Sequence, residues 1–169
     1  MTFCAKEKGG VMMEIERKYL VNEIPFQLED YPSHFIEQGY LNVQPVVRVR
    51  REDSAFYLTY KGKGLLMREE YNLPLTEEAY QHLIAKADGL IITKRRYLIP
   101  YQNYTIELDV FLDALAPLVF AEVEFPTEQE ALAFVPPAWF GKDVTMDGAY
   151  QNSALSQQAP DSLPHQVSP

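Results

Sequence analysis

The chain has 169 residues, enough for one domain with a sizeable core and too few to suggest two. Its 15 Lys and Arg stand against 24 Asp and Glu, a formal charge of -9; this disfavours nucleic acid and anionic membrane as partners, so a phosphate ligand needs a local basic site. The only cysteine, Cys4, excludes a disulfide framework or thiolate metal cluster and fits a reducing, cytoplasmic setting; no apolar run nears the roughly 18 residues of a membrane-spanning helix, and no hydrophobic signal core opens the chain.

Residues 1–11 lack a clear period and contain Gly9-Gly10, which predicts a flexible leader. Strand-like segments rich in Val, Ile, Tyr and Phe follow: VMMEIERKYLV, HFIEQGYLNV, PVVRVRRE, SAFYLTYKG and MREEYNLPL. A short helix is expected after Pro25. Thr76, with Glu77 and Glu78 behind it, caps a predicted helix over AYQHLIAKA that Asp88-Gly89 stops. Next come LIITKRRYLIP, a turn at Gln102-Asn103, YTIELDVFL, a turn at Ala116-Pro117, and LVFAEVEFP. A second helix is predicted over TEQEALAF, capped by Thr127 with Glu130 three residues on. Residues 156–169 are polar and Pro-rich and are expected to be disordered, which leaves residues 12–155 as the folded unit. The class is mainly β, antiparallel, with flanking helices.

At the strand period of two, Glu14, Glu16 and Lys18 share a face opposite Ile15, Arg17 and Tyr19. Arg48 and Arg50 alternate with Val47 and Val49. Tyr57, Thr59 and Lys61 form another row, and Arg68 with Glu70, Lys94 with Arg96, Glu107 with Asp109 and Glu122 with Glu124 continue the pattern. Each charged face taken alone fits a strand half-exposed to solvent. Taken together, acidic pairs gather on some strands and basic pairs on others, which fits a closed sheet with charges inside and apolar residues outside. Such an interior needs opposite charges, water, metal or a charged ligand. Arginine forks and lysine ammonium groups grip phosphate oxygens, and clustered carboxylates hold Mg²⁺ or Mn²⁺. KGKG at Lys61–Gly64 lacks GxxxxGK[ST] and a following helix, so it reads as a hairpin turn. No Ser/His/Asp or Cys/His set suggests a nucleophilic hydrolase.

These residues resemble the CYTH domain family, the triphosphate tunnel metalloenzymes. The ExExK motif is Glu14-Ile15-Glu16-Arg17-Lys18, and VRVR, YLTYKG, MREEYNLPL, ITKRRYLIP, IELDVF and FAEVEF follow in order. The ending PPAWFGKDVTMDGAYQNSAL is similar to the family's tail through Trp139, Gly141, Val144, Thr145, Tyr150, Asn152 and Ser153, with Asp143 where glutamate is more usual. The resemblance spans residues 12–155. It implies an eight-stranded antiparallel β-barrel forming a tunnel that acts on inorganic triphosphate, thiamine triphosphate, nucleoside triphosphates or RNA 5′-triphosphate ends with a divalent metal. Short stand-alone members look most like inorganic triphosphatases, which hydrolyse tripolyphosphate to pyrophosphate and orthophosphate. The alternatives are adenylate cyclase, thiamine or nucleoside triphosphatase, or a binding module that retains the tunnel without turnover. The cyclase branch carries a His-Phe pair upstream of ExExK, and here that stretch is CAKEKGGVMM.

On this reading Glu14, Glu16, Asp109, Glu122 and Glu124 are metal ligands for Mg²⁺ or Mn²⁺, with Glu70 and Glu107 supporting them from behind. Lys18, Arg48, Arg50, Lys61, Arg68, Lys94 and Arg96 bind the phosphates. Lys18, Glu122 and Glu124 are assigned to catalysis, with Lys18 assisting electrostatically as a retained cation. Arg17 and Arg95 have the opposite parity and are expected outside. Lys142 is a candidate for the tunnel mouth; Tyr40, Tyr57, Thr59 and Tyr150 are candidate wall hydrogen-bonding residues. Trp139 is expected to be a packing anchor. The small-molecule triphosphate is the expected partner, and a homodimer is compatible with a small barrel.

Overall fold

The computed structural model describes residues 12–158; the expected leader over residues 1–11 and residues 159–169 of the expected tail lie outside the described residues, whereas residues 156–158 of that tail are ordered, with Ser156 fully buried and its carbonyl accepting from the Leu90 amide at 2.7 Å. The predicted strands form as β1 (Met12–Val21), β2 (Ser33–Val43), β3 (Val46–Glu52), β4 (Ala55–Lys61), β5 (Met67–Pro74), β6 (Asp88–Tyr101), β7 (Tyr104–Phe111) and β8 (Val119–Glu124). Two helices, α1 (Glu77–Ile84) and α2 (Glu128–Ala133), begin at the expected caps. The Thr76 side chain accepts from the Ala79 amide, and Thr127 accepts from Glu130, satisfying amides that lack an intrahelical partner. The helix expected after Pro25 is one short 3-10 turn, Leu28–Asp30. Among the described residues no helix is long and apolar enough to cross a membrane.

Strand order is β5-β4-β3-β2-β6-β7-β8-β1, and β1 also pairs with β5, so the sheet closes on itself as an eight-stranded antiparallel barrel. Strand β1 is the closing strand. Its first residues pair with β5, from Met12↔Glu70 to Ile15↔Met67, while Glu16↔Glu124 to Leu20↔Phe120 tie it to β8. Where β5 leaves, a further strand the sequence reading lacked, β9 (Phe140–Asp143), pairs with the end of β1 through Tyr19↔Asp143 and Val21↔Phe140. Four residues with a central glycine carry too little alternation to announce a strand.

Apolar side chains lie on both sides of the wall. Outside, Ile15, Tyr19, Ile99, Ile106, Leu108 and Val123 pack beneath Ala131 of α2 and Phe134. Trp139 joins this layer edge-on to Phe26 and Phe140, the packing role expected for it. Arg17 also lies on this side and donates to the carbonyls of Ala131 and Phe134, and Arg95 donates to Ser33, so both arginines of opposite parity stay clear of the interior network. Around the barrel, α1 presses on β2 at Gly39. A Cβ there would come 2.7 Å from Ala87 Cβ and Ile84 Cδ1, so the helix end and the strand can approach this closely only at glycine. The helix itself stops at Ile84, and Asp88 and Gly89 open β6 instead of ending it. KGKG is the predicted turn between β4 and β5, with Gly64 at φ 131°.

Inside, the charged parity does not run the full length. Ile92 continues the row of Lys94 and Arg96, Phe111 that of Asp109, and Phe120 that of Glu122; they cluster with Tyr40, Val46, Leu115 and Leu118. Leu155, from a short C-terminal helix α3 (Asn152–Leu155), is fully buried in this cluster. One stretch of the interior is thus an apolar plug and the rest a polar chamber.

Candidate active site

The chamber has a volume of about 70 Å³ and is bounded by β1, β2, β3, β4, β5, β6 and β8 together with Gln151 and the start of α3. Closure of the sheet brings together Glu14, Glu16, Lys18, Arg48, Arg50, Lys61, Arg68, Glu70, Arg96, Glu122 and Glu124, residues far apart in the chain, because period two points each of them inward. Lys94, Asp109 and Glu107 join the same network through ion pairs from its wall. Lys142 is exposed on β9 and is not among the residues lining the chamber.

Lys18 Nζ lies 2.8 Å from Glu122 and Arg96 Nη2 lies 2.6 Å from the same carboxylate. Arg96 also grips Asp109 through two nitrogens and reaches Glu107, while Lys94 donates to Asp109. Lys61 bridges Glu14 and Glu70 at 2.7 Å each, and Arg68 donates to Glu14 at 3.0 Å and approaches Glu16 at 3.5 Å. Lys18 and Lys94 also lie 5.5 Å from the ring centroids of Phe120 and Phe111, so aromatic faces of the plug meet the charged rows.

The arginines of VRVR are held differently. Arg48 Nη2 donates to Thr59 Oγ1 at 3.1 Å, and its buried Nε has no partner. Arg50 directs Nε and Nη2 at Gln38 Oε1, at 3.0 and 2.8 Å, and among the described residues its one carboxylate contact is Glu52 at 3.9 Å. Burial, then Arg48 and Arg96, lowers the Arg50 pKa to about 10, leaving it a cation at neutral pH.

The acids divide by their neighbours. Burial first, then Glu14 and Glu122, pushes Glu16 up to about 7 despite Lys61 and Lys18. Glu124 is exposed at the chamber's edge, and desolvation, followed by Glu107, Glu14 and Glu16, raises it also. Burial pushes Lys18 down, but Glu122 and Glu16 outweigh this and hold it above the ordinary lysine value. Glu122, despite desolvation, is held well below the ordinary carboxylate value by Lys18, Lys94 and Arg96. The acids are all oxygen donors, suited to a hard divalent cation, and Glu16 and Glu124 face one another in the β1–β8 register. Among the described residues no three His, Cys, Asp or Glu converge as a ready-made metal cage; Glu14 and Glu122 are turned instead toward lysine and arginine.

Two groups of the site escaped the sequence reading: Gln151 lines the chamber, and Gln38 stands behind Arg50. Gln38 is fully buried and Gln151 nearly so, and Gln151 accepts from Arg68 at 3.4 Å. The signal for Gln38 was present: it has the parity of Ile36 and Tyr40 and lies opposite Arg50 in the β2–β3 register. Gln151 gave none, because it enters through an irregular turn. Of the expected wall hydroxyls, Thr59 bonds Arg48 and Tyr40 accepts from Gln38, whereas Tyr150 contributes its backbone carbonyl to Lys18 and Tyr57 is not a lining residue.

A closed antiparallel barrel with a charged interior defines the chain as a tunnel-type β-barrel protein. Residues 12–140 match the CYTH domain, and the chain belongs to the CYTH domain family. It is 38% identical over 155 residues to an inorganic triphosphatase of Nitrosomonas europaea, covering 88% of this chain and all of that one. An inorganic triphosphatase of Acetivibrio thermocellus is 36% identical over 149 residues, covering 84% of this chain and 92% of the relative. A crystal structure of an inorganic triphosphatase superposes with a TM-score of 0.67 at 34% identity, covering 90% of this chain and 99% of the other.

Proposed function

We propose that this chain hydrolyses inorganic triphosphate to pyrophosphate and orthophosphate inside the barrel, with Mg²⁺ or Mn²⁺ bound. The observation that carries the reading is the pair Arg48 and Arg50: one buried and one half-buried arginine whose close hydrogen-bonding partners are neutral, lining a chamber whose other cations are matched by carboxylates. A polyanion is the guest such a pair favours. The named activity of the two curated relatives supports the same substrate.

Arg48 and Arg50 would grip phosphate oxygens first, and Lys61, Arg68 and Arg96 would follow by exchanging carboxylate partners for the ligand. Lys94 completes the basic wall. Lys18, kept charged by Glu122 and Glu16, faces the chain of phosphates as a fixed positive charge against the developing negative charge of the transition state. Water attacks a terminal phosphorus, the P–O–P bridge breaks, and the bridging oxygen leaves on pyrophosphate. Glu14, Glu16, Glu122, Glu124 and Asp109 are the residues to hold the divalent ion. When bound, the ion neutralises phosphate oxygens and lowers the pKa of a bound water. Glu70 and Glu107, tied to Lys61 and Arg96, orient those cations.

The test is product analysis on purified protein given equal concentrations of tripolyphosphate, ATP and thiamine triphosphate with Mg²⁺ or Mn²⁺. Fast orthophosphate release from tripolyphosphate without cAMP is the expected result. Formation of cAMP and pyrophosphate from ATP would assign a cyclase, and binding without turnover would leave a binding module.

A further inference from the structure

The interior cations fall into two groups by the charge of the atoms that hold them. Lys18, Lys61, Arg68, Lys94 and Arg96 are held by carboxylates within hydrogen-bonding reach, whereas Arg48 and Arg50 are fixed by the hydroxyl of Thr59 and the amide oxygen of Gln38. Gln38 is fully buried and takes two guanidinium nitrogens on one oxygen. Its own Nε2 donates to the Tyr40 hydroxyl at 3.0 Å, which fixes the amide so that oxygen, and not nitrogen, faces Arg50. Tyr40 is itself a lining residue.

We infer that Gln38 is a positioning residue that aims Arg50 at the phosphate site without placing a carboxylate in hydrogen-bonding reach of it, Glu52 standing off at 3.9 Å, with Thr59 serving Arg48 in the same way. The physical reason is selective. A carboxylate at position 38 would orient the guanidinium equally well, but it would neutralise the cation and add a negative charge beside the incoming anion. A neutral acceptor supplies orientation without that competition. The ladder makes the assignment specific, because Gln38↔Arg50 and Arg48↔Thr59 are direct cross-strand partners on β2, β3 and β4.

This inference rests on the triphosphate reading above and predicts an unusual combination for Gln38→Glu, which changes one atom of the side chain. The variant should fold with a melting temperature equal to or above that of the wild type, since it gains an ion pair. Its KM for tripolyphosphate with Mg²⁺ should rise about tenfold or more while kcat changes much less, and titration calorimetry should show the same loss of affinity. Gln38→Leu removes the orienting oxygen without adding charge; it should raise KM by less and lower stability. A Gln38→Glu protein that folds and keeps the wild-type KM, or that loses kcat at constant KM, overturns the inference while the function stands. If Gln38→Glu does not fold, Gln38→Leu decides, and an unchanged KM there overturns it. A wild type that neither binds nor hydrolyses any of the three triphosphates overturns the functional reading and this inference with it.

Discussion

Lys18 and Glu122 are direct cross-strand partners on β1 and β8, and their charged ends meet at 2.8 Å with both side chains almost wholly removed from solvent. Glu122 also holds Arg96, so one carboxylate compensates two buried cations. Removing one member of a buried pair leaves the other uncompensated, which typically costs about 3–5 kcal/mol. Glu122→Gln is therefore expected to lower stability measurably in urea unfolding as well as to abolish turnover. A variant with wild-type stability would show that Glu122 is not the hub of this network.

Glu16 permits a cleaner test of the acidic wall. Its only ion-pair partner among the described residues is Arg68 at 3.5 Å, and Arg68 keeps Glu14. Glu16→Gln should fold at least as well as the wild type in the absence of metal yet lose metal-dependent turnover by on the order of a hundredfold. Full activity in this variant would remove Glu16 from the metal-holding set.

The pH dependence follows from the same residue. Glu16 titrates near 7 in the folded protein against 4.5 as the ordinary value. Below 4.5 both states carry the proton and the group contributes no difference. Between there and about 7 the folded state binds more protons, so stability falls as pH rises, by on the order of 1–3 kcal/mol in total. Glu124 and Glu107 are raised as well and act in the same direction. Metal-free protein should melt at a lower temperature at pH 8 than at pH 5.5, and Glu16→Gln should flatten the slope. Mg²⁺ binding needs the ionised carboxylate, so its stabilising effect should grow over the same range; stabilisation that is larger at pH 5.5 would contradict the assignment.

Arg50→Ala should raise KM for tripolyphosphate by about 10- to 100-fold, the scale of a lost charge-assisted hydrogen bond, with a smaller effect on stability. Unchanged kinetics would mean that the guanidinium does not meet the ligand.

The apolar plug offers a prediction independent of chemistry. Leu155 is fully buried against the inner cluster, so Leu155→Ala should cost about 2–5 kcal/mol in equilibrium unfolding. A loss below about 0.5 kcal/mol would show that α3 does not seal that end.

The local alternation of residues around Glu14, Arg48, Lys94 and Glu122 was legible in the sequence because a strand has period two, and the caps at Thr76 and Thr127 were legible because they act over three residues. That determined the strands, their charged faces and the helix starts. It did not determine who holds whom. Whether Lys61 meets Glu14, whether Arg68 reaches Gln151, and where β9 adds to β1 depend on barrel closure and register between residues distant in the chain. Nor did it place the boundary between chamber and plug: Ile92 and Lys94 have the same parity, and only the height at which each strand crosses its neighbour puts one among rings and the other beside Asp109. The sequence determined the sign and direction of every wall charge, and the tertiary structure decided which charges were neutralised, because electrostatic pairing depends on distances that only the closed sheet sets.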